Sequence, residues 1–134
     1  MLSPSWDTVR LTLHVLAASV WVGGQITLAG LVPAMRKEAP EVLAKIARQF
    51  ARLSWPAFVV LLLTGIWNVV VRHPANQSGT WNATLDLKIA IVLLSGASAW
   101  LHTRSKSKVG LAVWGAISSL SAITALFFGV LLAG

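Results

Sequence analysis

Four stretches of the chain carry no Asp, Glu, Lys or Arg: 11–35, whose only ionisable group is His14, 53–71, 89–101 and 109–134. The third reaches back to Leu85 if Asp86 and Lys88 lie at its end. Crossing a bilayer takes about 20 apolar residues in a helix. The pattern therefore predicts spanning helices over about 9–33, 53–71, 85–102 and 109–133. Between the first two, Val42, Leu43, Ile46 and Phe50 recur at helical spacing, with Lys45, Arg48 and Arg52 around the other side. That segment, about 41–52, reads as an amphipathic helix lying in the interface. Ser5 or Asp7 can cap the first helix, Pro33 suits its end, and Pro56 falls near the start of the second. From Arg72 to about Thr84 turn formers surround Trp81, a candidate interfacial anchor. Thr84 can cap the third helix, with Asp86 in its first turn. The expectation is an all-α membrane protein: a single domain, 1–134, folded as a four-transmembrane-helix bundle.

Composition agrees. Of 134 residues 56% are hydrophobic and 11% charged, with seven Trp and no Tyr or Cys, and the mean hydropathy is +0.74. Soluble domains are about 25% charged. Disorder, a collagen and a disulfide scaffold are excluded, and so are thiol catalysis and thiolate metal sites. The net charge of +7 would suit a nucleic-acid binder, but its distribution says otherwise. Arg36, Lys37, Lys45, Arg48 and Arg52 separate helices one and two; Arg104, Lys106 and Lys108 separate three and four. Eight of the eleven positive charges thus fall in alternate loops, the arrangement expected of cytoplasmic connections. Both termini and the loop after Arg72 are then expected on the outer side. The expected partner is the lipid bilayer and not nucleic acid, and the expected location is a bacterial cytoplasmic membrane. The apolar run at the N-terminus outlasts a signal-peptide core and is read as a retained helix.

Ionisable groups inside a bilayer are costly and are functional candidates by default. His14, Asn68 and Lys88 are each expected within roughly 10 Å of the outer boundary, at one level on antiparallel neighbours. His14, Ala18, Trp21 and Gln25 share a face of helix one. Each polar group also has a structural reading: Lys88 can snorkel to headgroups and Asn68 can bond a neighbouring carbonyl. His102 lies about 21 Å further along helix three, at the cytoplasmic end. His73 falls in the outer loop. Gly23, Gly24 and Gly30, then Ser95, Gly96 and Ala99, then Gly115, Ser118, Ala122 and Gly129 mark faces suited to close helix contact. The chain has no catalytic carboxylate pair, nucleophile triad, phosphate loop or HExxH motif.

These residues resemble a family. LHVLAASVWVGG in helix one, FARLSWPAFVVLLLTGIWN and LDLKIAIVLLSGA together are similar to the copper-resistance D (CopD) domain pattern. That pattern has a His, a Trp-x-Gly-Gly, a basic-aromatic-Ser lead into the next helix, a Thr-Gly and a Leu-x-x-Lys. The likeness runs from about His14 to Ala97. HemJ-type protoporphyrinogen oxidases are more weakly similar, sharing a helix-one His, a helix-two Pro and a helix-three Lys. Their second His and aromatic positions have no counterpart after Leu31. The CopD resemblance implies copper uptake or homeostasis at the cytoplasmic membrane, with an outer-leaflet polar site on His14. Cu(I) favours soft sulfur ligands, and the only Met residues are Met1 and Met35. A copper site of Met1, His14 and His73 is therefore the form the chain allows. The HemJ-like alternative implies a haem b-binding redox protein or oxidase. There His14 is an axial ligand, Lys88 pairs with a propionate, and Arg72 or Arg10 is a second partner. A further alternative is a non-catalytic accessory or assembly subunit in which His14, Asn68 and Lys88 only join helices. Copper-resistance D proteins are typically larger, so the core bundle alone implies a homo-oligomer or a larger membrane complex.

Overall fold

The computed structural model describes residues 2–134. It is all-α: four membrane-length helices account for nearly all of it, and no strand occurs among the described residues. The chain divides between His73 and Pro74 into two compact units, each a pair of antiparallel helices.

In the first unit α1 (Trp6–Ala18) runs through a π-helical turn (Ser19–Gly23) into α2 (Gly24–Glu38). Together they form a single span of 33 residues. The start is set by a capping box: Ser5 Oγ accepts from the Thr8 N–H at 3.2 Å, and Thr8 Oγ1 accepts from the Ser5 N–H at 3.2 Å. Asp7 lies in the first turn, where the helix dipole favours a carboxylate. Pro33, expected at the end of this helix, is inside it. The helix continues to Glu38, with Arg36 and Lys37 in its last turn facing the negative end of the dipole.

Helix α3 (Pro40–Arg72) starts earlier than its apolar stretch. Pro40 occupies the first turn, where a missing N–H is harmless, and no breaker intervenes before Pro56. The basic segment at 41–52, expected as an interfacial helix running into the second span, is the first part of one continuous helix with it. Pro56 is consequently internal, and the Arg52 carbonyl loses its helical partner there. The helix ends on His73 in the left-handed conformation (φ 49), followed by Pro74, which cannot continue it.

In the second unit α4 (Gly79–Arg104) is capped by Ser78, whose Oγ accepts from the Trp81 N–H at 3.1 Å. The expected cap, Thr84, lies within the helix and donates to the Thr80 carbonyl at 2.8 Å. Asp86 accordingly sits beyond the first turn. Asn82 Nδ2 ties the preceding loop down through the Pro74 carbonyl at 3.0 Å. Helix α5 (Lys108–Ala133) follows a tight connection, with Ser107 as its cap.

The distribution of side chains is inside-out relative to a water-soluble protein. Leu63 is 62% exposed and Leu120 65%, while the least exposed side chains are Ser98 (0%) and Ser95 (1%). Lipid tails are as apolar as leucine, so nothing drives such residues inward; small residues that admit close backbone approach line the contacts instead. Between α4 and α5, Ser95 Oγ donates to the Ser118 carbonyl at 2.9 Å and Ser118 Oγ donates to the Ser95 carbonyl at 3.0 Å. This reciprocal clasp fixes the register of the pair. Between the π-helical turn of the first span and α3 the larger side chains do the packing. Trp21 is 4.4 Å from Phe58 and 5.5 Å from Trp55, ring centre to ring centre.

Ser95→Ala and Ser118→Ala are each expected to cost about 0.6 kcal/mol, the usual worth of an interhelical hydrogen bond in lipid. Ser98→Leu should cost about 1–3 kcal/mol by overpacking. Unfolding of each variant in mixed micelles, followed by circular dichroism, measures this order.

Candidate functional site

His14 is the centre of the first unit's polar contacts. Its Nδ1 lies 2.8 Å from Thr64 Oγ1 on α3. The Thr64 hydroxyl has one proton, and its closest acceptor is the Val60 carbonyl at 2.7 Å, with the Leu61 carbonyl at 3.2 Å. A threonine that gives its proton to its own helix backbone can only accept from the ring. With the Thr64 proton on its own helix backbone, the ring donates from Nδ1 and turns Nε2 away from Thr64. The contact orients the ring, as second-shell hydrogen bonds do for metal-ligating histidines. Gly65 faces the same ring: a Cβ there would stand 3.7 Å from His14 Cε1.

One turn toward the N-terminus of α1 is Arg10, and one turn toward the C-terminus of α3 is Asn68. The antiparallel register set by His14 and Thr64 carries both to the same level. Arg10 is 5% exposed, and its Nη2 donates to Asp7 Oδ1 at 2.8 Å. Arg10 Nε and Asn68 Oδ1 are both buried without a hydrogen-bond partner. Arg72 closes α3 and is exposed. His73, exposed at the helix cap, is about 13 Å along α3 from Thr64 at 1.5 Å per residue. Met1 falls outside the described residues. No group of three or more His, Cys, Asp or Glu gathers among the described residues.

The second unit holds the other two ionisable groups named from the sequence. Lys88 projects from α4 onto α5, where a Cβ at Gly129 would lie 3.1 Å from its Nζ. His102 Nδ1 is 2.7 Å from the Leu111 carbonyl. A carbonyl can only accept, so this ring too is protonated at Nδ1. It lies flat against Gly115, whose absent Cβ would fall 3.1 Å from Nδ1.

The structure thus joins His14 to a residue that the periodicity did not single out. Thr64 and Gly65 are the Thr-Gly of the family-like pattern, and their role follows once α1 and α3 are known to be antiparallel neighbours. Asn68, expected at the level of His14, sits one turn further toward the end of α3. The burial of Arg10 had no sequence signal, because Asp7 beside it reads equally well as a solvent pair.

Thr64→Val keeps the shape of the side chain and removes the acceptor. Nitrogen NMR of histidine-labelled protein should show His14 as the Nδ1–H tautomer in the native chain and as a mixture in the variant. Gly65→Ala, which makes only ordinary van der Waals contact, should leave that signature unchanged. Gly115→Ala should displace His102 from Leu111.

Comparison of the chain with family models, with curated proteins and with solved structures gives no match.

Proposed function

We propose that the protein is a small polytopic membrane protein of the copper-resistance D-like kind that handles copper, with His14 as a ligand through Nε2. The observation that carries this reading is the His14–Thr64 hydrogen bond. An imidazole in a spanning helix, oriented through Nδ1 by a neighbouring hydroxyl, has Nε2 as the nitrogen with which it would hold a metal ion. Copper accepts imidazole, and Cu(I) adds a preference for thioether. His73, which closes α3, and Met1 are the residues from which further ligands would come. A second copy presenting its own His14 is the other source. In the proposed orientation both termini and the 73–78 connection face outward, and the two basic connections face the cytoplasm, as their charge favours.

A second reading, haem b binding, is favoured by Arg10. Haem provides its own in-plane nitrogens and asks of the protein one axial imidazole. Arg10, one turn from His14 on the same helix and buried, is a cation suited to a propionate carboxylate. In that case His14 would hold the iron through Nε2, and Thr64 would orient the imidazole for it.

The full chain purified in mild detergent separates these readings. The copper reading expects a protein without a Soret band that retains copper by elemental analysis. His14→Ala should abolish retention, and Thr64→Val should weaken affinity by about 10–100-fold. A Soret band lost in His14→Ala overturns copper in favour of haem. Absence of either ligand, with His14→Ala changing only thermal stability, would leave His14 as a helix-joining residue. For orientation, a cysteine at any of 76–79 should react with an impermeant label from outside intact cells; labelling from the cytoplasmic side alone would reverse it.

A further inference from the structure

Lys88 is placed by three independent features. The register set by Ser95–Ser118 and His102–Leu111 puts Ala125 of α5 opposite Lys88. The ammonium nevertheless lies against Gly129, one turn nearer the end of α5. The side chain thus runs toward the N-terminus of α4, the direction in which helical Cα–Cβ bonds tilt. That end also carries Trp81, whose indole N–H donates to the Leu132 carbonyl at 3.4 Å and so marks where α4 begins and α5 finishes. Along α4, Lys88 is about 13 Å from Gly79, but the Gly129 level is only about 6 Å from Ala133 at 1.5 Å per residue. The stem is packed and the head is brought close to the interface.

Gly129 makes this path possible. A Cβ there would stand 3.1 Å from Nζ and 3.6 Å from Cε, so the glycine leaves a notch that the end of the lysine occupies. Among the described residues, Nζ has neither a hydrogen-bond acceptor nor a carboxylate within ion-pair distance. Asp86 lies two positions away on α4 and so points to a different side. The ammonium is not sealed off either: Lys88 is only half-buried, and Nζ is absent from the buried orphan atoms. A cation held at this depth, reachable from the surface and without an internal counter-charge, faces the phosphates of the surrounding leaflet.

We propose that Lys88 and Gly129 form a binding site for the headgroup phosphate of an acidic phospholipid, in the leaflet at the Trp81 end of the second unit. The proposal rests on the second unit alone and not on the ligand proposed for His14. The phosphate oxygens accept from Nζ at the notch, and the acyl chains lie on the exposed apolar faces of α4 and α5, which carry Leu87, Leu126 and Val130.

The test is native mass spectrometry of the full chain in mild detergent, titrated with phosphatidylglycerol and, separately, with a diacylglycerol of the same chains. One tightly retained phosphatidylglycerol is expected, with no equivalent diacylglycerol adduct. Lys88→Met should weaken that adduct about fivefold, the worth of one lysine–phosphate attraction at a membrane surface. Gly129→Val keeps every charge but fills the notch, and should produce a comparable loss, so the proposal stays testable if Lys88→Met fails to fold. Lys45→Met makes the same change of charge in α3 and should spare the tight adduct. Equal weakening by Lys45→Met, or retention unaltered in both site variants, would overturn the proposal. Diacylglycerol binding as tight as phosphatidylglycerol would also overturn it. Displacement by inorganic phosphate at millimolar concentration would reassign the site to a free phosphate and remove the lipid.

Discussion

Hydrocarbon offers no hydrogen-bond partner, and from that constraint most of the molecule follows. Every backbone group in a span must be satisfied within its own helix, which leaves helices as the only form four such apolar stretches can take. Several polar side chains in the spans meet the same requirement across the helix pair. His14 is answered by Thr64, His102 by the Leu111 carbonyl, and Ser95 by Ser118. Each pair bridges two helices, so the polar residues that composition would count as liabilities help specify which faces meet.

Glycine is the second half of that arrangement. Three ionisable side chains in the spans each lie against one on the neighbouring helix: His14 on Gly65, Lys88 on Gly129 and His102 on Gly115. The contact is loose at Gly65 and tight at the other two. A ring or an ammonium needs more room than an apolar interface with full-sized residues leaves, and a missing Cβ supplies it without separating the backbones.

The number of spans and their approximate extents were legible in the sequence because hydropathy alone determines them. Their ends were less so. The charges at Lys45, Arg48 and Arg52 mark an interfacial helix running into the second span, and the two are one unbroken helix because charge does not interrupt a helix and nothing between Pro40 and Pro56 breaks one. Thr84 had the chemistry of a cap, yet Ser78 has the same chemistry a turn and a half earlier and is followed by residues without a breaker. For the site, His14 was visible as the one ionisable group in its span. Thr64 was not, since a threonine bonded to its own helix backbone leaves no trace in periodicity. Only the register of α1 against α3 shows that its hydroxyl meets the His14 ring.

The inside-out packing shifts where the chain's identity resides. In a water-soluble protein the large buried apolar residues are the ones that drift least, because a cavity or a clash follows any change of volume. Here Leu63, Ile66, Val70, Leu120 and Val130 are each more than 60% exposed, so exchanges among apolar types there disturb few helix contacts. The residues that cannot be exchanged are the serines, glycines and alanines at the interfaces, which contribute least to any hydropathy profile. Two chains could therefore share a profile of four spans and pack them quite differently, or share this packing with hardly a large residue in common.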